Sequence, residues 1–174
     1  QNGLDPQSDV KIKYKADASE LSAVWNTEKD AIIVAPSPAS AAITVQYPQA
    51  KKVLDFTEEW QKCSPDSRLM MGCVVARTEF CQKNPELIND FLAEYKASVS
   101  TAGENPEATG KICEQYGIVA KATLVVKGLD DCHLCFITGD EMENGLTGYL
   151  KVLYESDPAT VGKLPDKEFW YKGF

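Results

Sequence analysis

The stretch from Val10 to Ser40 limits the possible folds of this chain more than any other. Val10-Lys11-Ile12-Lys13-Tyr14 alternates apolar and basic residues, the pattern of a half-buried strand. Ser19 stands where a helix N-cap belongs, and Leu21, Val24 and Trp25 form an apolar stripe on a short helix ending near Asn26. Ala31-Ile32-Ile33-Val34 is a continuous apolar run, as expected of a strand covered on both faces. Strand, helix and buried strand in succession predict a βαβ unit with parallel strands and a right-handed crossover. The chain then enters Ala35-Pro36-Ser37-Pro38, with a helix predicted from Ala39 to Val45. Pro38 suits the first helical position, where a missing N–H costs nothing, and Ser37 is then the natural N-cap.

Lys52-Val53-Leu54-Asp55-Phe56 reads as a third strand and Met70 to Ala76 as a fourth, with Glu58 to Arg68 a polar connector containing Ser64-Pro65-Asp66-Ser67. Asn84-Pro85-Glu86 opens a helix to about Ser100, with Leu87, Ile88, Phe91, Leu92, Tyr95 and Val99 on one face. Asn105-Pro106-Glu107 repeats that entry for a helix to Tyr116 that stops at Gly117. Gly110 lies inside it and weakens it by about 1 kcal/mol relative to Ala; nothing in the local sequence accounts for it. Thr138 and Glu141 match a capping box, opening a helix that buries Met142, Leu146, Tyr149, Leu150, Leu153 and Tyr154. Phe169-Trp170-Tyr171 is expected to dock onto the body of the protein. The predicted class is α/β, in two parts joined near Ser64 to Met71.

With 174 residues, 44% of them apolar, the chain has enough material for a real core. Eighteen Lys and Arg stand against 26 Asp and Glu, a net charge of −8 that argues against nucleic acid as a partner. Lys11, Lys13 and Lys15 are the longest basic cluster and read as a solvated strand face. No apolar run approaches the ~18–20 residues of a membrane-spanning helix. Gln1-Asn2-Gly3-Leu4-Asp5-Pro6 resembles the exit of a helix, with Gly at the left-handed position, which suggests a fragment or a processed chain.

Cys63, Cys73, Cys81, Cys113, Cys132 and Cys135 are scattered, and only Cys132-His133-Leu134-Cys135 brings two together, around the sole His. Structural zinc needs a second pair of ligands, which is missing, so no metal is expected. A redox dithiol opens a helix, whereas Leu134-Cys135-Phe136-Ile137 reads as strand; the pair is therefore assigned to structure. No Gly-x-Ser-x-Gly elbow or Gly-rich phosphate loop occurs, and carboxylate pairs such as Glu58-Glu59 and Asp130-Asp131 sit in polar stretches. No catalytic residue and no cofactor are expected, and binding is favoured over catalysis. Ligands of open α/β sheets lie beyond the C-terminal ends of parallel strands. Pro36, Ser37, Pro38, Ala39 and Ser40 would stand at such an end, where a helix N-terminus favours an anion or a carbonyl. The same loop also reads as a plain helix entry with an N-cap serine.

These segments, in this order, resemble solute-binding proteins of ABC importers, specifically the nitrate, sulfonate, taurine and thiamine-pyrimidine-precursor group. The resemblance is carried by Asn2-Gly3-Leu4-Asp5-Pro6, by Ala31 to Pro38, and by Cys73-Val74-Val75-Ala76-Arg77-Thr78-Glu79-Phe80 with Lys83-Asn84-Pro85-Glu86-Leu87. Asn105-Pro106-Glu107-Ala108 and Lys163-Leu164-Pro165-Asp166 with Phe169-Trp170-Tyr171 extend it to nearly the whole chain. It implies a two-lobed type II periplasmic-binding fold of which only the C-terminal half is present. Residues 1–69 would belong to the second lobe, and residues 70–174 would supply the return strand and C-terminal helices of the first. It further implies a small polar, anionic or heteroaromatic solute held in an interlobe cleft at Pro36–Ser40, with closure about a hinge near Ser64–Met71. Expected partners are that solute and ABC permease subunits. The expected location is extracytoplasmic, periplasmic or at the cell surface, with membrane contact only through a lipid anchor that this chain lacks. Many members carry Glu where this chain has Ser37. The alternative is an enzyme resembling the synthases that make the thiamine pyrimidine, which would depend on His133. A third reading is an interaction protein that exposes apolar surface.

Overall fold

The computed structural model describes residues 3–28 and 30–173; Gln1 and Asn2 of the expected helix exit lie outside them. The α/β expectation is overturned. The molecule is 57% helical, and none of the described residues forms a β-strand. A type II periplasmic-binding fold is built around central sheets, so that assignment falls with the strands.

The physical reason lies in what hydrophobic patterning encodes. Alternation marks an extended backbone with one face covered, but a strand exists only where a second backbone supplies the ladder. Val10–Tyr14, Ala31–Val34, Met70–Ala76 and Leu134–Ile137 have no regular structure. Exposure still alternates along Ala31–Ala35, with Ile32 87% exposed between half-buried neighbours, and Met71 is 82% exposed. The Lys52–Phe56 run loses to a local competitor. The Asp55 carboxylate accepts from the amides of Thr57 and Glu58, and so starts a helix inside the stretch expected to be strand and connector.

Nine α-helices occur among the described residues: α1 (Ala18–Thr27), α2 (Ala39–Gln46), α3 (Phe56–Cys63), α4 (Thr78–Lys83), α5 (Pro85–Glu104), α6 (Pro106–Gln115), α7 (Ala122–Gly128), α8 (Gly139–Ser156) and α9 (Pro158–Val161). The chain divides into two compact units.

The first unit comprises Gln1–Lys52 and Asn105–Leu134. The cap of α1 is Asp17, which accepts from Ser19 and Glu20, so Ser19 lies inside the first turn rather than at the cap. Helix α2 begins at Ala39, but Pro38 rather than Ser37 holds the cap position, with no side-chain cap. Its Ala41 and Ile43 are buried, as is Val125 of α7, and α2 and α6 both pack on α7. Gly110 now has an account. A Cβ there would sit 2.6 Å from the carbonyl oxygen of Ala122, so α6 can approach the start of α7 only because the side chain is missing. The same junction is tied by the Glu114 carboxylate, which accepts from the Ala122 amide at 2.7 Å and serves α7 as a cap from a distance.

The second unit comprises Val53–Glu104 and Cys135–Phe174. Helix α8 carries a notch at Gly145 and Gly148, facing Met70 and the Ser67 backbone respectively; a Cβ on Gly148 would lie 2.7 Å from Ser67 Cβ. Ser67 is only 6% exposed. Its hydroxyl accepts from the Trp60 indole at 2.7 Å and donates to the Ser64 carbonyl at 3.1 Å, while the Trp60 ring meets Tyr149 at 5.2 Å. Ser64–Met71, implied as a hinge by the resemblance, is thus anchored through Ser67 and Met70 to the face of α8. Thr138 occupies the N-cap of α8 without a side-chain cap bond, and Glu141 pairs with Arg68 instead of reaching back. The broad stripe expected on α5 splits, since Leu87, Phe91 and Tyr95 are exposed while Ile88, Leu92 and Val99 are half-buried. The C-terminal strap docks: Trp170 is 8% exposed, the Tyr171 hydroxyl donates to Asn89 Oδ1 at 2.9 Å, and Lys172 pairs with Asp140 and Glu143.

Two outcomes follow from these contacts. Gly110→Ala gains helix propensity but drives a methyl into backbone, so it should lower stability by about 1–3 kcal/mol in urea unfolding. Gly103→Ala, within α5 and with open space around its site, should instead raise stability by up to about 1 kcal/mol. The strap supplies a pH signature. The Lys172 hydrogen bond holds the Asp140 carboxyl below its ordinary 3.8, so this contribution is present above that value and is lost as pH falls through the lower folded one. Hydrogen bonds to Asp140 and then Glu143 raise Lys172 above 10.5, so its contribution is lost as pH rises past that point. The Trp170 indole resonance should therefore report a docked strap between those limits, and Lys172→Met should flatten both edges of the profile.

Candidate functional site

The residues singled out by sequence, Pro36 to Ser40, form the entry to α2 in the first unit. Ser37 and Pro38 are joined by a cis peptide bond. Pro36 is exposed, and Ser37, Pro38, Ala39 and Ser40 are half-buried. Ser37 is not the N-cap; its hydroxyl instead donates to the Gly128 carbonyl at 2.7 Å, across 91 positions of chain. The cause is geometric. With Pro38 at the cap position, Ser37 stands one residue too early to reach the α2 amides, and it faces the end of α7 instead.

Gly128 is the partner that sequence reasoning missed. A Cβ at Gly128 would fall 2.9 Å from Ala41 Cβ and 2.9 Å from Ser37 Oγ, so only glycine lets the end of α7 reach this loop. The same carbonyl receives the Cys132 thiol at 3.3 Å. Cys132 closes a short 3-10 turn, Asp130–Cys132, whose Asp131 carboxylate pairs with Lys52 Nζ at 2.7 Å. Three separate pieces of sequence therefore meet here: Ser37, Lys52 and the stretch from Gly128 through the Asp130–Cys132 turn. No local pattern announces that meeting, apart from a glycine at the end of an apolar run.

The loop can offer a solute only a short set of groups. The Ser40 amide bonds to the Pro36 carbonyl at 3.0 Å and the Ala42 amide to that of Pro38 at 3.1 Å, so both are committed inside the chain. Ser37 has committed its proton but keeps acceptor capacity, and Ser40 brings a second hydroxyl. The positive end of the eight-residue α2 adds a fixed partial charge. That set suits a small polar or singly charged solute better than a polyanion.

The other candidates fall elsewhere. His133 ends the 3-10 turn with φ 48°, in the left-handed region, and not in the expected strand. Cys132 is half-buried and Cys135 exposed, and both are free thiols. No group of three or more His, Cys, Asp or Glu among the described residues could hold a metal ion. Nor, among those residues, is any helix long and apolar enough to cross a membrane. Comparison with protein-family models, with curated proteins and with solved structures finds no match to this chain.

The Ser37–Gly128 contact can be weighed by substitution. Ser37→Ala leaves a half-buried carbonyl short of its stronger donor and should lower stability by about 1 kcal/mol. Gly128→Ala collides with two side chains and should lower it by about 1–3 kcal/mol. The two losses should fall short of adding in the double variant, because both act on one contact. Denaturant unfolding of the three variants checks this.

Proposed function

We infer that the chain is a solute-binding module. It serves as the extracytoplasmic receptor component of an ABC importer, holding a small polar, anionic or heteroaromatic solute at Pro36–Ser40 and passing it to permease subunits. The observation that carries this reading is the Ser37–Gly128 hydrogen bond, which fixes a Pro-Ser-Pro-Ala-Ser loop at the positive end of α2. A loop held from outside its own helix keeps its hydroxyls in place before a solute arrives, which lowers the ordering cost of binding. The ordered motifs that resemble the nitrate, sulfonate, taurine and thiamine-pyrimidine-precursor receptors supply the transport context. The reading rests on the loop and uses no sheet. It assigns binding without catalysis, and no metal or cofactor takes part.

Titration calorimetry against nitrate, taurine, pyrimidines and flavin-like compounds tests it. One solute class should give saturable heat, and Ser40→Ala should weaken that binding about tenfold or more, the worth of one hydrogen bond to a charged group. Silence with every class, or full affinity in Ser40→Ala, would sink the assignment.

A further inference from the structure

Val10–Lys15 is a segment whose backbone has no partner. Among the described residues, none of its N–H or C=O groups is hydrogen-bonded. It is nonetheless held in an ordered frame. Just before it, the Asp5 carbonyl receives the amides of Ser8 and Asp9, and the Asp9 carboxylate accepts from the Asp5 amide at 2.8 Å. This closes a tight turn.

The two faces of the segment differ in chemistry. Lys13 pairs with Glu28, and Lys11 and Lys15 both lie close enough to that carboxylate to stabilise its charge. In the sequence, Lys11, Lys13 and Lys15 occupy every second position, so in an extended, paired backbone they would share one face, on the side of Glu28. Val10, Ile12 and Tyr14 belong to the alternate register; all three are exposed, Tyr14 at 90%. Together with Lys11 and the Pro6–Asp9 turn they line an open concavity of about 850 Å³. The segment belongs to no sheet, but its unpaired backbone and alternating sequence offer an incoming extended segment the same groups that a sheet edge does.

The charge pattern selects the occupant. A second copy of this segment, paired in the register that matches apolar with apolar, would set lysine against lysine. Shifting by one residue would place lysine against Ile12 or Val10, which is no better. Complementarity instead requires acidic residues at every second position and apolar residues between them.

We propose that Val10–Lys15 is a docking edge for an extended segment of another protein that alternates acidic with β-branched or other apolar side chains. The incoming backbone pairs with the free N–H and C=O groups, its carboxylates face Lys11 and Lys15, and its apolar side chains cover Ile12 and Tyr14. The edge is independent of the Pro36–Ser40 loop and stands or falls without the solute-binding reading.

A capped synthetic peptide alternating Glu with Val and Ile is the probe, followed by amide NMR of the whole chain at low salt. Shifts should concentrate on Val10–Lys15, with slowed hydrogen exchange there, and affinity should fall as salt is raised. An isomeric peptide with all its Glu residues contiguous should bind at least about tenfold more weakly, because it cannot match charge and apolar faces together. Lys11→Gln/Lys15→Gln should weaken the alternating peptide about tenfold while leaving the rest of the amide spectrum unchanged. Lys11→Glu/Lys15→Glu should instead accept a peptide alternating Lys with Val and Ile. The proposal is overturned by absence of binding at about 1 mM peptide, or by equal affinity for the contiguous-Glu isomer. It is overturned too if the segment engages anionic lipid vesicles in preference to the peptide. Self-association of the protein alone that Lys11→Gln/Lys15→Gln abolishes would also overturn it, because a second copy would then be the occupant.

Discussion

Close approach of backbone at glycine is the constraint on which the rest of this structure depends. Among the described residues the buried apolar side chains are Ala41, Ile43, Val125 and Trp170. Helices therefore meet through small contact surfaces rather than through layers of Leu and Phe. At Gly110, Gly128 and Gly148 the space for a Cβ is already filled by a neighbour, within 2.6–2.9 Å. A glycine costs its helix about 1 kcal/mol relative to Ala, and at each of these positions it permits a contact that a side chain would block. The α6–α7 junction, the candidate site and the α8 notch all use this device.

Sequence periodicity exposed part of this architecture and concealed part of it, for reasons visible in particular residues. The starts of α5 and α6 are legible because proline at the first helical turn is a local signal, independent of tertiary context. Helix α8 is likewise announced by Thr138, although the reciprocal Glu141 bond is replaced by a pair with Arg68. Helix α3 was legible in principle, since Asp55 precedes a first turn bearing Glu58 and Glu59, yet the apolar Val53, Leu54 and Phe56 suggested strand. Helix α7 has no comparable signal: Ala-Thr-Leu-Val-Val is as compatible with strand, and its N-terminus is capped by Glu114 from another helix. The expected sheet failed on the same point. Composition reports that a segment is apolar and alternating, but only the folded chain reports whether a second strand reaches it.

The candidate site divides in the same way. The Pro36–Ser40 loop could be located from sequence because Pro and Ser mark a helix entry, whereas the role of Ser37 could not. Its hydroxyl turns away from α2 toward a carbonyl 91 positions distant, and that choice belongs to tertiary structure. A serine expected to order its own helix instead orders the junction of two. The Ser37 hydroxyl is thus placed by α7 as much as by α2.

The two units are each assembled from two separate stretches, so the chain passes from one to the other at Lys52–Val53, Glu104–Asn105 and Leu134–Cys135. This interleaving sets the order of events during synthesis. The first unit lacks its second stretch until Asn105–Leu134 has left the ribosome, and only then can Ser37 meet Gly128. Until that moment α2 is without α7, the helix it packs on, and closing so long a loop is slow. The second unit waits longer still, because Trp170 and Lys172 lie at its very end. Neither unit can be completed from one continuous stretch: the first needs Asn105–Leu134 and the second needs Cys135–Phe174.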